Sequence, residues 1–167
     1  MSHLSYIEPA ELERLVLARS ETPHFLVIDV RSSDFVGGNI PNALNLTTDK
    51  FSSPSKTERT IERYISPLVE RQNLSLVVVH CMRSQTRGPY VAHQLKRSDT
   101  LSKLGVDVKV LRGGFQGWYR TFEGRKELFE NLGDRDQDEW EDVVNANEGD
   151  EREAQDSKEL REKLARE

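Results

Sequence analysis

With 167 residues, 35% of them hydrophobic and 32% charged, the chain has the length of one domain of ordinary size, and its net charge of −5 points away from nucleic acid. No apolar run approaches the ~20 residues that span a bilayer, and the opening MSHLSYIEPAELERL lacks the basic-then-apolar layout of a secretory signal. A cytoplasmic or nuclear location without a membrane partner is therefore expected. The single cysteine excludes an internal disulfide and a thiolate-rich zinc site, so no metal is expected and the thiol is either buried filler or chemistry.

Charge divides the chain in two. Residues 1–122 carry 16 Lys/Arg against 12 Asp/Glu, whereas 123–167 carry 8 against 17. The first part suits an anionic substrate and is expected to be the catalytic domain; the second is too polar for a core of its own and reads as an acidic, partly helical or disordered extension.

In chain order, 8–18 predicts a helix opened by Pro9. HFLVIDV (24–30), ALNL (43–46), LSLVVVH (74–80) and VDVKVL (106–111) are short, β-branched and barely alternating, as strands buried on both faces are. TTDKFSSPSKTERT (47–60) reads as a linker-like insertion. Residues 59–71 place Ile61, Tyr64, Ile65, Leu68 and Val69 at helical spacing. A helix with Pro89 in its first turn is expected after the loop, with Val91, Leu95, Leu101 and Leu104 toward a sheet and Gly105 as its stop. A last helix over 126–132 is expected to pack Leu128 and Phe129 on the domain, and Trp140, Val143 and Val144 form one further candidate docking stretch. The alternation of strands and helices predicts an α/β domain with a parallel sheet and helices on both faces.

In such sheets ligands bind beyond the carboxyl ends of the strands, and Cys81 stands at one, in VVVHCMRSQTRGP (77–89). Met82, Arg83, Ser84, Gln85, Thr86 and Arg87 follow, able to turn backbone N–H groups inward as an anion nest. The next helix adds about half a positive charge at its start, and Arg87 a two-pronged donor. Such surroundings can bring a thiol from about 8.5 to roughly 3.5–7.5, giving a nucleophile at neutral pH beside an oxyanion cradle. Attack by sulfur on phosphorus, then release of the phospho-cysteine by water, needs no metal or cofactor. Ser84 or Thr86 is placed to hydrogen-bond the departing sulfur. His80 reads as packing beneath the loop rather than transferring protons, and Asp34 as a loop acid that could reach the site rim but is more simply solvated.

Three separated stretches, IDVRSSDFVGGNIPNALNL (28–46), HCMRSQTRGP (80–89) and LRGGFQGW (111–118), resemble the rhodanese superfamily over about residues 5–122. The closest resemblance is to its phosphatase branch: the cell-division-cycle dual-specificity phosphatases, with small single-domain relatives and arsenate reductases. The resemblance implies a central, mostly parallel five-stranded sheet, Cys81 as nucleophile, residues 82–87 as the phosphate loop and Arg87 as transition-state stabiliser. It also implies Asp29 and Arg31 as structural residues near the site and Gly113–Gly114 as a packing turn. Where the cell-cycle members carry an acid just after the cysteine, this chain has Met82 and Arg83, so leaving groups of low pKa are expected to be favoured. It also lacks their second cysteine, so oxidation is expected to run through sulfenic acid to a mixed disulfide or an irreversible product.

Four functions stay open: a phosphatase acting on phosphoproteins or small aryl phosphates; an arsenate reductase drawing on glutathione and glutaredoxin; sulfur transfer, disfavoured by a loop one residue too long; and a non-catalytic phosphate-reading module.

Overall fold

The computed structural model describes residues 3–19 and 24–133. Five strands, β1 (Ser5–Ile7), β2 (Phe25–Asp29), β3 (Leu44–Asn45), β4 (Leu76–His80) and β5 (Asp107–Leu111), pair in the order β1-β5-β4-β2-β3, parallel throughout. β4 lies at the centre of the sheet, and its register sets Asp29 of β2 opposite His80. The unbroken apolar runs have a direct cause: alternate side chains of β2 and β4 enter two different cores. Leu26, Ile28, Val77 and Val79 pack with Ile61, Ile65 and the helices α3 (Ser66–Gln72), α4 (Arg87–Lys96) and α5 (Asp99–Lys103), and α2 (Pro54–Thr60) lies against α4. Phe25, Val27 and Val78 pack under α1 (Pro9–Leu17) and α6 (Gly114–Phe122). Each buried Val, Leu or Ile contributes about 1.5–3 kcal/mol of transfer free energy.

The architecture is the expected α/β sandwich with its parallel sheet, and several local features differ from the sequence reading. β1 was not read from the sequence, since three residues are too few to show a period. Residues 47–60 are folded rather than linker-like: Thr48–Phe51 forms a 3-10 turn that buries Phe51 completely, and α2 starts at Pro54. Its polar residues are satisfied locally, with Ser53 capping the Lys56 amide at 3.2 Å and Thr60 Oγ1 donating to the Lys50 carbonyl at 2.8 Å. The helix expected over 59–71 is the latter part of a longer helical run in which a π turn, Ile61–Ile65, joins α2 to α3. Pro67 in the first turn of α3 lacks the N–H that an unbroken α-helical ladder would need there.

The helical run that holds Pro89 is two helices. α4 carries Pro89 in its first turn, as expected, and Ser98 opens α5 by accepting the Leu101 amide at 3.3 Å. The helix expected over 126–132 is a single 3-10 turn, Lys126–Leu128. Leu128 and Phe129 do pack on the domain, but consecutive residues can both be buried here because Phe129 is extended, and Glu130 then bridges antiparallel to Asn39. Trp140, Val143 and Val144 lie outside the described residues. No helix among the described residues is long and apolar enough to cross a membrane.

Candidate active site

Cys81 follows directly on the carboxyl end of β4, and the loop 81–86 runs from it into α4. The residue is fully buried. Its Sγ accepts the Ser84 amide at 3.2 Å and the Gly88 amide at 3.4 Å, so the loop curls around the sulfur. Two glycines make this possible. Gly88 brings backbone close to the start of the loop, where an added Cβ would lie 3.4 Å from the Cys81 nitrogen. Gly114, at φ +60°, lets the start of α6 abut the loop; a Cβ there would lie 2.6 Å from the carbonyl oxygens of both Cys81 and Met82.

Those two carbonyls accept the Phe115 amide at 3.0 Å and the Gln116 amide at 2.8 Å. Carbonyls that point out to α6 leave the loop's amides to serve the other side. Apart from the two amides on sulfur, the Gln85 and Thr86 N–H groups donate to no other described residue. Ser84 holds φ +58°, a left-handed conformation that few non-glycine residues adopt and that turns its amide toward sulfur. Its hydroxyl is buried with no hydrogen-bond partner among the described residues. Met82 is buried in the α6 core, so its contribution to the loop is backbone only, whereas Arg83 is half-buried and Gln85 exposed.

Arg87 opens α4 with its guanidinium buried, and Asp34 holds it: Nη1 donates to Oδ1 at 3.1 Å and Nη2 to Oδ2 at 2.8 Å. Asp34, read from the sequence as a solvated acid, is thus a buried partner of the site. Burial pushes its carboxyl up, but the hydrogen bonds and charge of Arg87 and the charge of Arg31 outweigh this and hold it below its ordinary 3.8. A carboxylate in that state cannot donate a proton near neutral pH.

Beneath the loop lies a second buried ion pair. Arg31 donates through Nε and Nη2 to the Asp29 carboxylate at 2.8–3.1 Å, through Nη2 to the Gly38 carbonyl at 2.8 Å, and through Nη1 to the Asp34 carbonyl at 3.0 Å. Its guanidinium also lies 4.2 Å from the Phe115 ring centroid. Arg31 therefore links three elements: β2, the turn that carries Asp34, and α6. Asp29 is depressed: burial would raise it, but Arg31 and His80 together prevail. His80 Nδ1 donates to the Cys81 carbonyl at 2.9 Å, while Nε2 stands 3.6 Å from Asp29. Burial, the largest influence, holds the imidazole below its ordinary 6.5 despite Asp29, so the ring is neutral near pH 7. Asn45 completes the floor, donating to the Asp29 and Arg31 carbonyls at 2.9 Å.

The loop thus gathers Cys81, Ser84 and Arg87 directly, with Asp29, Arg31 and His80 as its floor. Asp34, Asn45, Gly88 and the start of α6 were not assigned to the site from the sequence. Of these, Gly88 beside Arg87, the Gly113–Gly114 pair that starts α6 and Asp34 near the rim carried some signal, and Asn45 carried none.

The sequence profile described as the rhodanese-like domain matches residues 11–121. The chain belongs to the rhodanese-like family. This rhodanese-like domain is 29% identical over 148 residues to the dual specificity phosphatase ibp1 of Schizosaccharomyces pombe, covering 78% of this chain and 99% of that one. It is 32% identical over 127 residues to the CDC25-like phosphatase YCH1 of Saccharomyces cerevisiae, covering 73% and 86%. Among solved structures, the As-Sb reductase from Leishmania major superposes with a TM-score of 0.62 at 29% identity, over 76% of this chain and 85% of that one. The relatives of this rhodanese-like domain support cysteine-based phosphatase or reductase chemistry.

Proposed function

We propose that the protein is a cysteine-dependent phosphatase that hydrolyses phosphate esters, of phosphoproteins or small aryl phosphates, through a phospho-cysteine intermediate. The observation that carries this reading is the sulfur of Cys81 under two amide donors, with five residues between it and a buried arginine, in a loop whose Gln85 and Thr86 amides have no partner among the described residues. Two N–H donors on sulfur favour the thiolate, the form that attacks.

In the first step Sγ bonds to phosphorus as the P–O ester bond breaks, and the leaving oxygen departs with the bond's electron pair. Loop amides and N–H groups of Arg87 hold the equatorial oxygens, whose charge grows in the transition state. Water then attacks phosphorus, the S–P bond breaks, and inorganic phosphate and the thiolate are released. The buried Ser84 hydroxyl is available to the sulfur as charge returns to it. Asp34 is engaged with Arg87 and held ionised, so no carboxylic acid of this site supplies the leaving group's proton. Aryl and phosphotyrosyl esters, whose leaving groups need the least help, are the preferred substrates.

A second reading follows from the likeness to the As-Sb reductase. The same cradle suits arsenate, which matches phosphate in charge and shape. Cys81 would displace hydroxide from arsenate to form an S–As bond. Two electrons from two glutathione thiols, one of them carried through glutaredoxin, would reduce arsenic from +5 to +3 and free the cysteine. With one cysteine in the chain, both reducing thiols must come from outside.

A side-by-side assay of aryl phosphate hydrolysis and glutathione-linked arsenate reduction separates the two. The phosphatase reading expects ester turnover that vanishes in Cys81→Ser and falls at least about 10²-fold in Arg87→Ala. Arsenate turnover without ester hydrolysis would replace it with the reductase.

A further inference from the structure

We propose that an open groove between the Thr48–Phe51 turn and α2 docks an acidic segment of a phosphoprotein substrate, beside the residue whose phosphate enters the loop. This rests on the phosphatase reading and specifies its substrate. The groove, of about 270 Å³, is lined by Lys50, Lys56, Arg59, Thr60, Arg63 and Tyr64, together with Asp49. Lys56, Arg59 and Arg63 recur at i, i+3 and i+7, which gathers them on one face of the helical run.

Three acids share this region, Asp49, Glu58 and Glu62, and among the described residues none of them pairs with these cations. Glu58 accepts from the Thr100 hydroxyl at 2.8 Å and Asp49 from the Thr47 hydroxyl, which leaves four cations against three acids. Among the described residues none of the four cations enters an ion pair; Arg63 instead lies 5.3 Å from the centroid of the Tyr64 ring. Like charges gathered in one groove repel each other and raise the local concentration of a polyanion.

Position selects the substrate as the occupant. The turn that carries Lys50 is tied to the edge of the sheet that bears the catalytic loop: Thr48 Oγ1 donates to the Val30 carbonyl at 3.2 Å, and Val30 in turn donates to the His80 carbonyl at 2.9 Å. The Phe51 carbonyl accepts Tyr90 Oη at 3.2 Å and Gln94 Nε2 at 3.0 Å, both from α4, the helix that Arg87 opens. The described chain ends at Gly133 on the opposite layer, just after Phe129 packs against the α6 core and Glu130 pairs with Asn39. A bound peptide can therefore reach loop and groove together. An acidic flank is what the groove would select.

The test uses the full chain and the double variant Lys56→Glu/Arg59→Glu, both positions exposed and outside the catalytic loop. Three substrates are compared: an aryl phosphate, a phosphotyrosine peptide with Asp/Glu flanks and one with neutral flanks. The expected result is kcat/KM for the acidic peptide reduced about ten-fold with its salt dependence lost, and the other two unchanged. Fluorescence anisotropy of the same acidic peptide without phosphate supplies a readout free of catalysis, with affinity weakened about ten-fold in the variant. If no ester is turned over yet that binding remains charge-dependent, the phosphatase reading fails and the groove still holds acidic peptide. Unchanged peptide kinetics and binding, an equal loss on all three substrates, or charge-dependent binding of phosphatidylserine vesicles in place of the peptide would each overturn the proposal.

Discussion

Asp34 and Arg87 are 53 residues apart in the sequence and share two hydrogen bonds in a buried setting. A guanidinium offers five N–H donors, and Asp34 accepts two of them, which fixes the plane of the fork. Replacing one member of a buried pair strands the other's charge. Asp34→Asn keeps the shape and removes the charge, so it is expected to lower stability by about 1–3 kcal/mol in urea unfolding and aryl phosphate turnover by at least about ten-fold. Unchanged turnover would show that Arg87 orients itself. Cys81 and Arg87 could be read from the sequence because their spacing is local. Asp34 could not, since no spacing within the loop names a partner from the turn after β2.

At the scale of elements, the site depends on how α6 meets the loop. Its first amides take the Cys81 and Met82 carbonyls, and Gly114 permits the approach. The Gly-Gly pair before the aromatic stripe was legible as a packing turn, but what it packs against was not, because that depends on β5 delivering α6 beneath β4's loop. Gly114→Ala puts a methyl 2.6 Å from two backbone oxygens and places a side chain at φ +60°. A stability loss of about 2–4 kcal/mol by thermal or urea unfolding is expected, with activity reduced further than Gly105→Ala, where nothing lies within 4 Å. Equal effects at the two glycines would mean that backbone strain alone explains the loss. The strands read well because burial on both faces leaves unbroken apolar runs. The folding of 47–60 did not, because its order rests on Phe51 and on hydroxyl-to-carbonyl bonds that polar composition does not reveal.

For the whole molecule, three buried ionisable groups under one loop couple stability to pH. His80 is held below its ordinary 6.5, so the unfolded chain takes up its proton first as pH falls. Stability from this group is complete above about 6.5 and declines below it. Asp29 and Asp34 are held below 3.8, so their contribution is present above that value and is lost as pH falls through their lower folded values. Urea midpoints should therefore fall in two stages on acidification, and His80→Gln should flatten the upper stage while keeping the lower one. A wild-type midpoint constant from pH 7 to 5 would contradict this.

A single sulfur in 167 residues, sealed beneath its own loop, also makes the protein its own gauge. Any thiol-selective reagent that adds mass to the chain adds it at Cys81, with no second thiol to subtract. Counting alkylated molecules by mass spectrometry thus counts reduced Cys81, and bulky maleimides should lag behind small haloacetates until denaturant lifts the lid of backbone above the sulfur.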